Sequence, residues 1–499
     1  THTPGFDDPV LGLFARSPSD MRPLAEILKN EMPSRVRPPG VIASYSNHGT
    51  ALAGYAVACV SGMSWEDYVE RRILKPLGME HTLVRQPEKE ELPADLSQGY
   101  EWKEGHFKSN DFEYVPAAPA GCISTTAADI SRFMLAHLHD GRLGTAQILK
   151  PETARLMREP LFRHDPKTQA MCYGFWEQER NGVRIVGHGG DTLWFHSLLE
   201  LIPERGVGFF VSYNTKSSQE GSRDALFDSF LRRYFPAPDP PRIAARSGFK
   251  ERAERVAGEY VITRYSHTSI TKLIALVGAL HVKVNDDDTI SIGSGLNDFP
   301  RRFVEVEPLV FREVDGPRRI VFQEDESGKV RYLFPADAAA VSAERREWHE
   351  LDVAQFGLLG GSVGILASAL FFWPALAFTV RGLKSPRINR NRYSGLLSCL
   401  AWLMSVVCIG FLVGLGVTLK DPDQIVFGLS KPAQVLLTVP QFCAGLVALT
   451  LVACLIAWKN RYWRFTGRLH YTLVALAGVG FTWFLFHWNL LAFGLRDVL

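Results

Sequence analysis

Four long apolar runs close the chain, at residues 356–380, 396–419, 433–457 and 471–493, and each reaches the roughly 20 residues a helix needs to cross a bilayer core. No Asp, Glu, Lys or Arg stands in the middle of any run, so the pattern predicts an anchor rather than a transport path. Polar residues between the runs set the expected orientation. Arg381, Lys384, Arg387, Arg390 and Arg392 separate the first two runs, and Lys459, Arg461, Arg464 and Arg468 the last two. Basic loops stay in the cytoplasm, which puts the short, nearly neutral Lys420-Asp421-Pro422-Asp423 loop and both chain ends on the other side. Trp373, Tyr393, Trp458, Tyr462 and Trp463 fall near the expected interfaces, where amphipathic rings are favoured.

Upstream the period changes. Short β-type runs at 258–261, 280–284, 289–292, 308–312, 319–323 and 330–334 are separated by turns such as Asn285-Asp286-Asp287-Asp288 and Glu326-Ser327-Gly328-Lys329. Regular strands with this punctuation predict a small antiparallel β domain, of the barrel kind, over 250–348. Pro236-Ala237-Pro238-Asp239-Pro240-Pro241 opens a stiff linker, 236–249, that neither helix nor strand tolerates. Residues 1–235 mix helical periods with short apolar strands, an α/β (α+β) pattern, and residues 354–494 form the membrane bundle.

Composition narrows the functional classes. A chain of 499 residues implies two to four domains. Its net charge of +2 averages two unlike halves, because nearly all the acids precede Asp352. No basic face builds up outside the membrane-flanking loops, which argues against a nucleic-acid partner. The seven cysteines contain no C-x-x-C pair and read as small apolar residues rather than zinc ligands or a disulfide framework. His137 and His139 are two apart, on different sides of a helix, and there is no H-E-x-x-H; no metal and no cofactor is expected. Gly360-Gly361-Ser362-Val363-Gly364 satisfies G-x-S-x-G, and His487 lies in the last run, but the strand-turn-helix setting of a nucleophile elbow is missing. Small residues at that spacing serve close helix packing.

The remaining chemistry lies in the first segment. Tyr45-Ser46-Asn47 leads into a helical pattern at 51–60, followed by Trp65-Glu66-Asp67-Tyr68-Val69 and Ile73-Leu74-Lys75-Pro76-Leu77-Gly78-Met79. Ala120-Gly121-Cys122-Ile123-Ser124-Thr125-Thr126 and Gly187-His188-Gly189-Gly190 come later, and Thr1-His2-Thr3-Pro4-Gly5 opens the chain. A serine hydroxyl is a poor nucleophile without a base in hydrogen-bond reach. A tyrosine such as Tyr45 can be that base only if a nearby cation lowers its pKa from about 10. The bland readings are a packing role for the tyrosine, an N-cap role for Ser46 or Asn47, and a satisfied core position for His188.

In this order the landmarks resemble the serine β-lactamase-like and penicillin-binding-protein-like hydrolases, the family of class C β-lactamases, D-alanyl-D-alanine carboxypeptidases and related esterases. The likeness covers about residues 1–215. It implies a β-lactamase-like fold and an acyl-enzyme mechanism with Tyr45, Asn47, His188 and Asp191 as catalytic positions. Asn47 would bond the activating lysine and a substrate carbonyl. His188, where many members carry lysine, would donate to a substrate carboxylate or assist the tyrosine, and the backbone N–H of Asp191 would be one oxyanion donor. Gly189 and Gly190 would let substrate backbone lie along the strand, and Trp194 would shape the pocket. The family's Ser-x-x-Lys precedes the Tyr-x-Asn element, and none precedes Tyr45 here; Ser247-Gly248-Phe249-Lys250 and Ser269-Ile270-Thr271-Lys272 come too late in the chain. The expectation is therefore an N-terminally incomplete, membrane-anchored hydrolase of a bacterial cytoplasmic membrane. Its domain would face the periplasm and act on a small peptide, amide or ester, D-amino-acid peptides and prodrugs included; the 499 residues alone would be inactive. Leu193-Trp194-Phe195-His196-Ser197, where a Pro-Gly-Phe-Ser type run is common, favours peptidase or esterase over β-lactamase action. A non-catalytic membrane receptor or regulatory protein using the same cleft is the alternative.

Overall fold

The computed structural model describes residues 1–216, 221–238, 247–294, 300–336, 338–382 and 392–491. They fall into two compact units. One takes Thr1–Asp8, Leu13–Tyr265 and Gly278–Arg345; the other takes Pro9–Gly12, Ser266–Val277 and the chain from Arg346 onward.

In the first unit, helix α1 (Asn47–Ser61) starts where the Ser46 hydroxyl accepts from the Gly49 N–H, runs through alanines of high helix propensity, and stops at Gly62 in the left-handed region. Helix α2 (Ala127–Leu138) is capped in the same way by Thr126. Strands β1 (Gly99–Lys103) and β2 (His106–Asn110) form a hairpin. Strands β3 (Trp176–Arg180), β4 (Val183–Asp191), β5 (His196–Ile202) and β6 (Val207–Tyr213) make an antiparallel sheet in sequence order. Val183 and Ile185 of β4 and Leu198 and Ile202 of β5 bury against Phe227 and Leu231 of helix α3 (Ser222–Tyr234). That core fixes the register of β4 and hence the position of His188, because a one-residue slip would turn the apolar set outward.

Gly187 is required at its place in β4, since a Cβ there would overlap the Glu200 carboxylate and the Leu199 carbonyl. Glu200 is fully buried and accepts from Gln178 Nε2 at 2.7 Å. Burial pushes its carboxyl up to about 8, so it is held largely protonated at neutral pH.

Helix α4 (Phe249–Val256) leads into an eight-stranded closed barrel. Its strands are β7 (Gly258–Ile262), β8 (Ala279–Val284), β9 (Ile290–Ser294), β10 (Arg301–Glu307), β11 (Val310–Glu313), β12 (Arg319–Glu324), β13 (Val330–Pro335) and β14 (Ala343–Arg345). Tyr260, Val282, Phe303, Phe311, Phe322 and Leu333 fill it together with Phe249, Ala253 and Val256 of α4. Arg252 of α4 pairs with the buried Glu305 through both carboxylate oxygens, at 2.7 and 2.6 Å. The six strand-like runs in the sequence are all strands here; β10 and β14 are additional. Of the proline-rich linker, 236–238 is irregular and 239–246 lies outside the described residues.

Barrel and hydrolase-type domain share a seam. Thr263 donates its N–H to Ser342 O at 2.8 Å, and its carbonyl accepts from Ser44 Oγ and from Arg37 Nη1, each at 3.3 Å. Ser342 Oγ reaches the Ala43 carbonyl at 3.4 Å, and Ala43 packs with Met171 and the barrel's Ala339. The stretch just before Tyr45 is therefore held by residues of another domain.

The second unit holds helices α5 (Asp352–Gly382), α6 (Arg392–Leu419), α7 (Val439–Lys459) and α8 (Phe465–His487). Four apolar helical segments, the third being Lys431–Lys459 with a break before α7, are long and apolar enough to cross a membrane. The fourth begins and ends earlier than the apolar run in the sequence. It continues upstream through Arg468 and His470, and it stops at His487, whose carbonyl accepts from Lys272 Nζ at 2.7 Å. Phe493, like the basic residues Lys384, Arg387 and Arg390, lies outside the described residues. Ser362 of the G-x-S-x-G match faces Gly480, where a Cβ would stand 3.0 Å from both Ser362 Oγ and Leu358 Cδ1; this is close helix packing. Five of the seven cysteines are buried, Cys59 and Cys399 are exposed, and all are free thiols.

Candidate active site

Tyr45 ends the extended stretch that the barrel clamps, one residue before the N-cap of α1. Ser46 is spent on the cap, which frees Asn47, the first residue of the helix: its side-chain amide has no hydrogen-bond partner among the described residues. The Tyr45 ring stacks on His2 at 4.0 Å between centroids and lies 6.1 Å from the His188 ring. The Arg264 guanidinium is 4.7 Å from its centroid. Burial raises the Tyr45 phenol above its ordinary value, with Arg264 working against the rise and Asp8 and Asp191 adding to it. A phenol in this setting stays protonated at neutral pH. To act as a base it needs a further cation, the part that the resemblance gives to the lysine of Ser-x-x-Lys.

His2 accepts from the Ser46 N–H at 3.1 Å through Nδ1, and burial holds its pKa down to about 3, so it is neutral. His188 stacks on Trp176 at 4.2 Å, and its Nδ1 lies 2.5 Å from the Gly189 carbonyl. A carbonyl only accepts, so Nδ1 carries the proton and Nε2 presents a lone pair. Burial also lowers the His188 pKa. The imidazole is thus a neutral acceptor, suited to taking a proton or hydrogen bond in the cleft and unlike the charged donor that lysine would be there.

Asp191 ends β4. Thr192 N–H donates to Phe195 O at 2.9 Å across the turn, which makes Asp191 and His196 the next, non-hydrogen-bonded pair. The Asp191 N–H accordingly points away from β5, on the side where β3 reaches no further than Gly187. Burial favours a raised Asp191 pKa, but hydrogen bonds from Arg223 and His196, at 2.8 Å each, outweigh it and hold the carboxylate below its usual value. Arg223 also donates to Gly190 O and Ser197 O, bracing the end of the hairpin. A Cβ on Gly190 would meet nothing, and one on Gly189 would stand 3.4 Å from Arg223. Glu113 pins the turn from the other side, accepting from Leu193 N and Thr192 Oγ1 at 2.6 Å each.

Tyr45, Asn47, His188 and Asp191 come from the start of α1 and the end of β4, and direct ring proximity joins Tyr45 to His188. Trp194 is placed differently: it packs on Gly99 of β1 and under Lys216, so it shapes the hairpin beside the cleft. His137 is buried between Phe133 and Phe175 and His139 is exposed, which separates that pair. Arg264, Trp176, Arg223 and Glu113 were not legible as site residues, because none belongs to a motif. His2 lies within the Thr1–Gly5 landmark, the one signal that pointed to it.

Tyr45 and His188 are brought together, with 6.1 Å between ring centroids, beside the part of β4 that β3 leaves unpaired. Residues 1–231 match the beta-lactamase family. A stretch of 178 residues is 30% identical to penicillin-binding protein 4 of Amycolatopsis lactamdurans, covering 34% of this chain and 46% of that protein. The putative penicillin-binding protein PbpX of Bacillus subtilis (strain 168) is 32% identical over 148 residues, 29% of this chain and 34% of that one. Among solved structures, the octameric penicillin-binding protein homologue from Pyrococcus abyssi is 20% identical, covers 64% of this chain and 70% of that one, and superposes with a TM-score of 0.38. The N-terminal part of the chain belongs to the β-lactamase and penicillin-binding-protein-like serine hydrolases. The chain spans less than half the length of either curated relative.

Proposed function

We propose that this protein is a membrane-anchored serine hydrolase that cleaves an amide or ester of a small peptide or peptide-like substrate through an acyl-enzyme. The observation that carries the reading is the proximity of the Tyr45 ring to a neutral His188 near the end of β4, where the Asp191 N–H points away from β5. In it Tyr45 is the base toward a serine hydroxyl, Asn47 holds the substrate amide, His188 Nε2 accepts from substrate or from the phenol, and Asp191 N–H stabilises the oxyanion. Gly189 and Gly190 leave room for substrate backbone along β4. No Ser-x-x-Lys precedes Tyr45 within the 499 residues. A fluorophosphonate or fluorescent penicillin probe should leave these 499 residues unlabelled and should label a chain to which an upstream Ser-x-x-Lys segment is supplied. Stoichiometric labelling of the 499 residues at Ser247, Ser269 or Ser362, or no labelling of the restored chain, would reject the reading; the second result would favour a ligand-binding receptor.

The four apolar helices would anchor the hydrolase to a bacterial cytoplasmic membrane, with the catalytic domain on the periplasmic side. Single cysteines at Asp421 and Arg461, in a background without the native thiols, should then react with a membrane-impermeant maleimide from opposite sides. Reaction of both from one side would remove the four-crossing topology.

A further inference from the structure

Resting on the reading of Tyr45 as the base, we infer that Arg264 is a positioning residue of the active site: it is supplied by the barrel domain and sets a fixed positive charge beside the Tyr45 phenol. The guanidinium lies 4.7 Å from the ring centroid, a cation–π geometry, and its Nε donates to Asp8 Oδ2 at 2.7 Å. Asp8 is buried, so the pair is fixed rather than a loose surface contact. The residue before it, Thr263, is stitched to Ser342 of the barrel and to Ser44 and Arg37 of the hydrolase domain. Arg264 is therefore held by its head and by the bonds of the residue before it.

The groups that face Tyr45 divide cleanly. His2 and His188 are kept neutral by burial, and the Asp8 and Asp191 carboxylates oppose ionisation of the phenol. Arg264 is the cation in this set. A positive charge about 4–6 Å away favours the ionised form of a phenol by about one to three pKa units. Arg264 thereby offsets part of the cost of burying a tyrosine that must give up its proton, and the ring contact keeps the phenol aimed. The barrel is then a component of the site and not an inert spacer.

The test is a titration of Tyr45 in the full chain in detergent, using tyrosine labelled with 13C at Cζ. Of the 14 tyrosines, the signal absent from Tyr45→Phe is Tyr45. Arg264→Met should move its midpoint up by about one to two units, or out of the observable range, whereas Arg264→Lys should keep most of the original value. Asp8→Asn removes a negative charge from the same cluster and should move the midpoint down. An unchanged midpoint in Arg264→Met, an upward shift in Asp8→Asn, or a Tyr45 signal that fails to titrate in the unaltered chain overturns the inference. This readout needs no turnover, so it separates failure of the Arg264 assignment from failure of the hydrolase reading. In a chain that does acylate, the midpoint of the pH–rate profile should follow the same order, with kcat falling in Arg264→Met and KM little changed.

Discussion

In a form of the protein that carries an upstream Ser-x-x-Lys, Tyr45→Phe should lower the single-turnover acylation rate by roughly 10²- to 10⁴-fold, the usual loss when a general base is removed. The substitution keeps the ring, and with it the stacking on His2 and the contact with Arg264, while deleting the oxygen that would take the serine proton. Thermal stability should stay close to that of the unaltered protein, because the phenol is only partly buried and its ring contacts survive. His188→Ala should cost less. Its proposed role is to accept a hydrogen bond, which a water can partly take over. Acylation should be followed on an amide and an ester after equal stability has been confirmed. A Tyr45→Phe protein that acylates at the normal rate would take Tyr45 out of the mechanism and leave His188 as the remaining candidate base.

Gly187→Val should destabilise the hydrolase-type domain by about 3 kcal/mol or more, at or beyond the upper end of ordinary overpacking. Its neighbours cannot give way cheaply. One is the backbone carbonyl of Leu199 on the paired strand, and the other is the Glu200 carboxyl, already buried and fixed by Gln178. Added atoms would have to part β4 from β5 beside His188. Hydrogen exchange is the appropriate measurement, because a chain with a β barrel and a separate unit of long apolar helices does not unfold in one step. Amides of Val183–Asp191 should lose protection in the variant while those of the barrel keep theirs. Unaltered protection across β4 would show that the Glu200 pocket can open, and would remove the steric reason for glycine here.

Much of this architecture could be read from the chain because its signals are local. Tyr45-Ser46-Asn47 followed by an alanine-rich run announces a cap and a helix within a few residues, and the structure puts the cap on Ser46. The apolar helices are legible from composition alone, yet their ends are not. Phe465 through His470 contains three polar side chains, Thr466, Arg468 and His470, that interrupt the hydropathy pattern, but the backbone continues in helix through them. Strand β14 is three residues, Ala-Glu-Arg, with little β-propensity; it exists because β7 and β13 each need a partner to close the barrel. Arg264 was illegible for a similar reason. Nothing near it marks a site, and what gives it meaning is a contact with a ring 219 positions earlier, which only the folded chain supplies.

The seam behind Tyr45 also sets a clock on synthesis. Ala43 receives its bond from Ser342, 299 residues later in the chain. At roughly 5–20 residues per second, a ribosome needs about 15 to 60 seconds to travel that far. Throughout that interval the stretch carrying Tyr45 lacks the barrel residues that clamp it, and by the time they arrive the first apolar helix is next to be made. A chain built this way completes the clamp before Tyr45 only after the barrel has been made, with the four apolar helices still to follow.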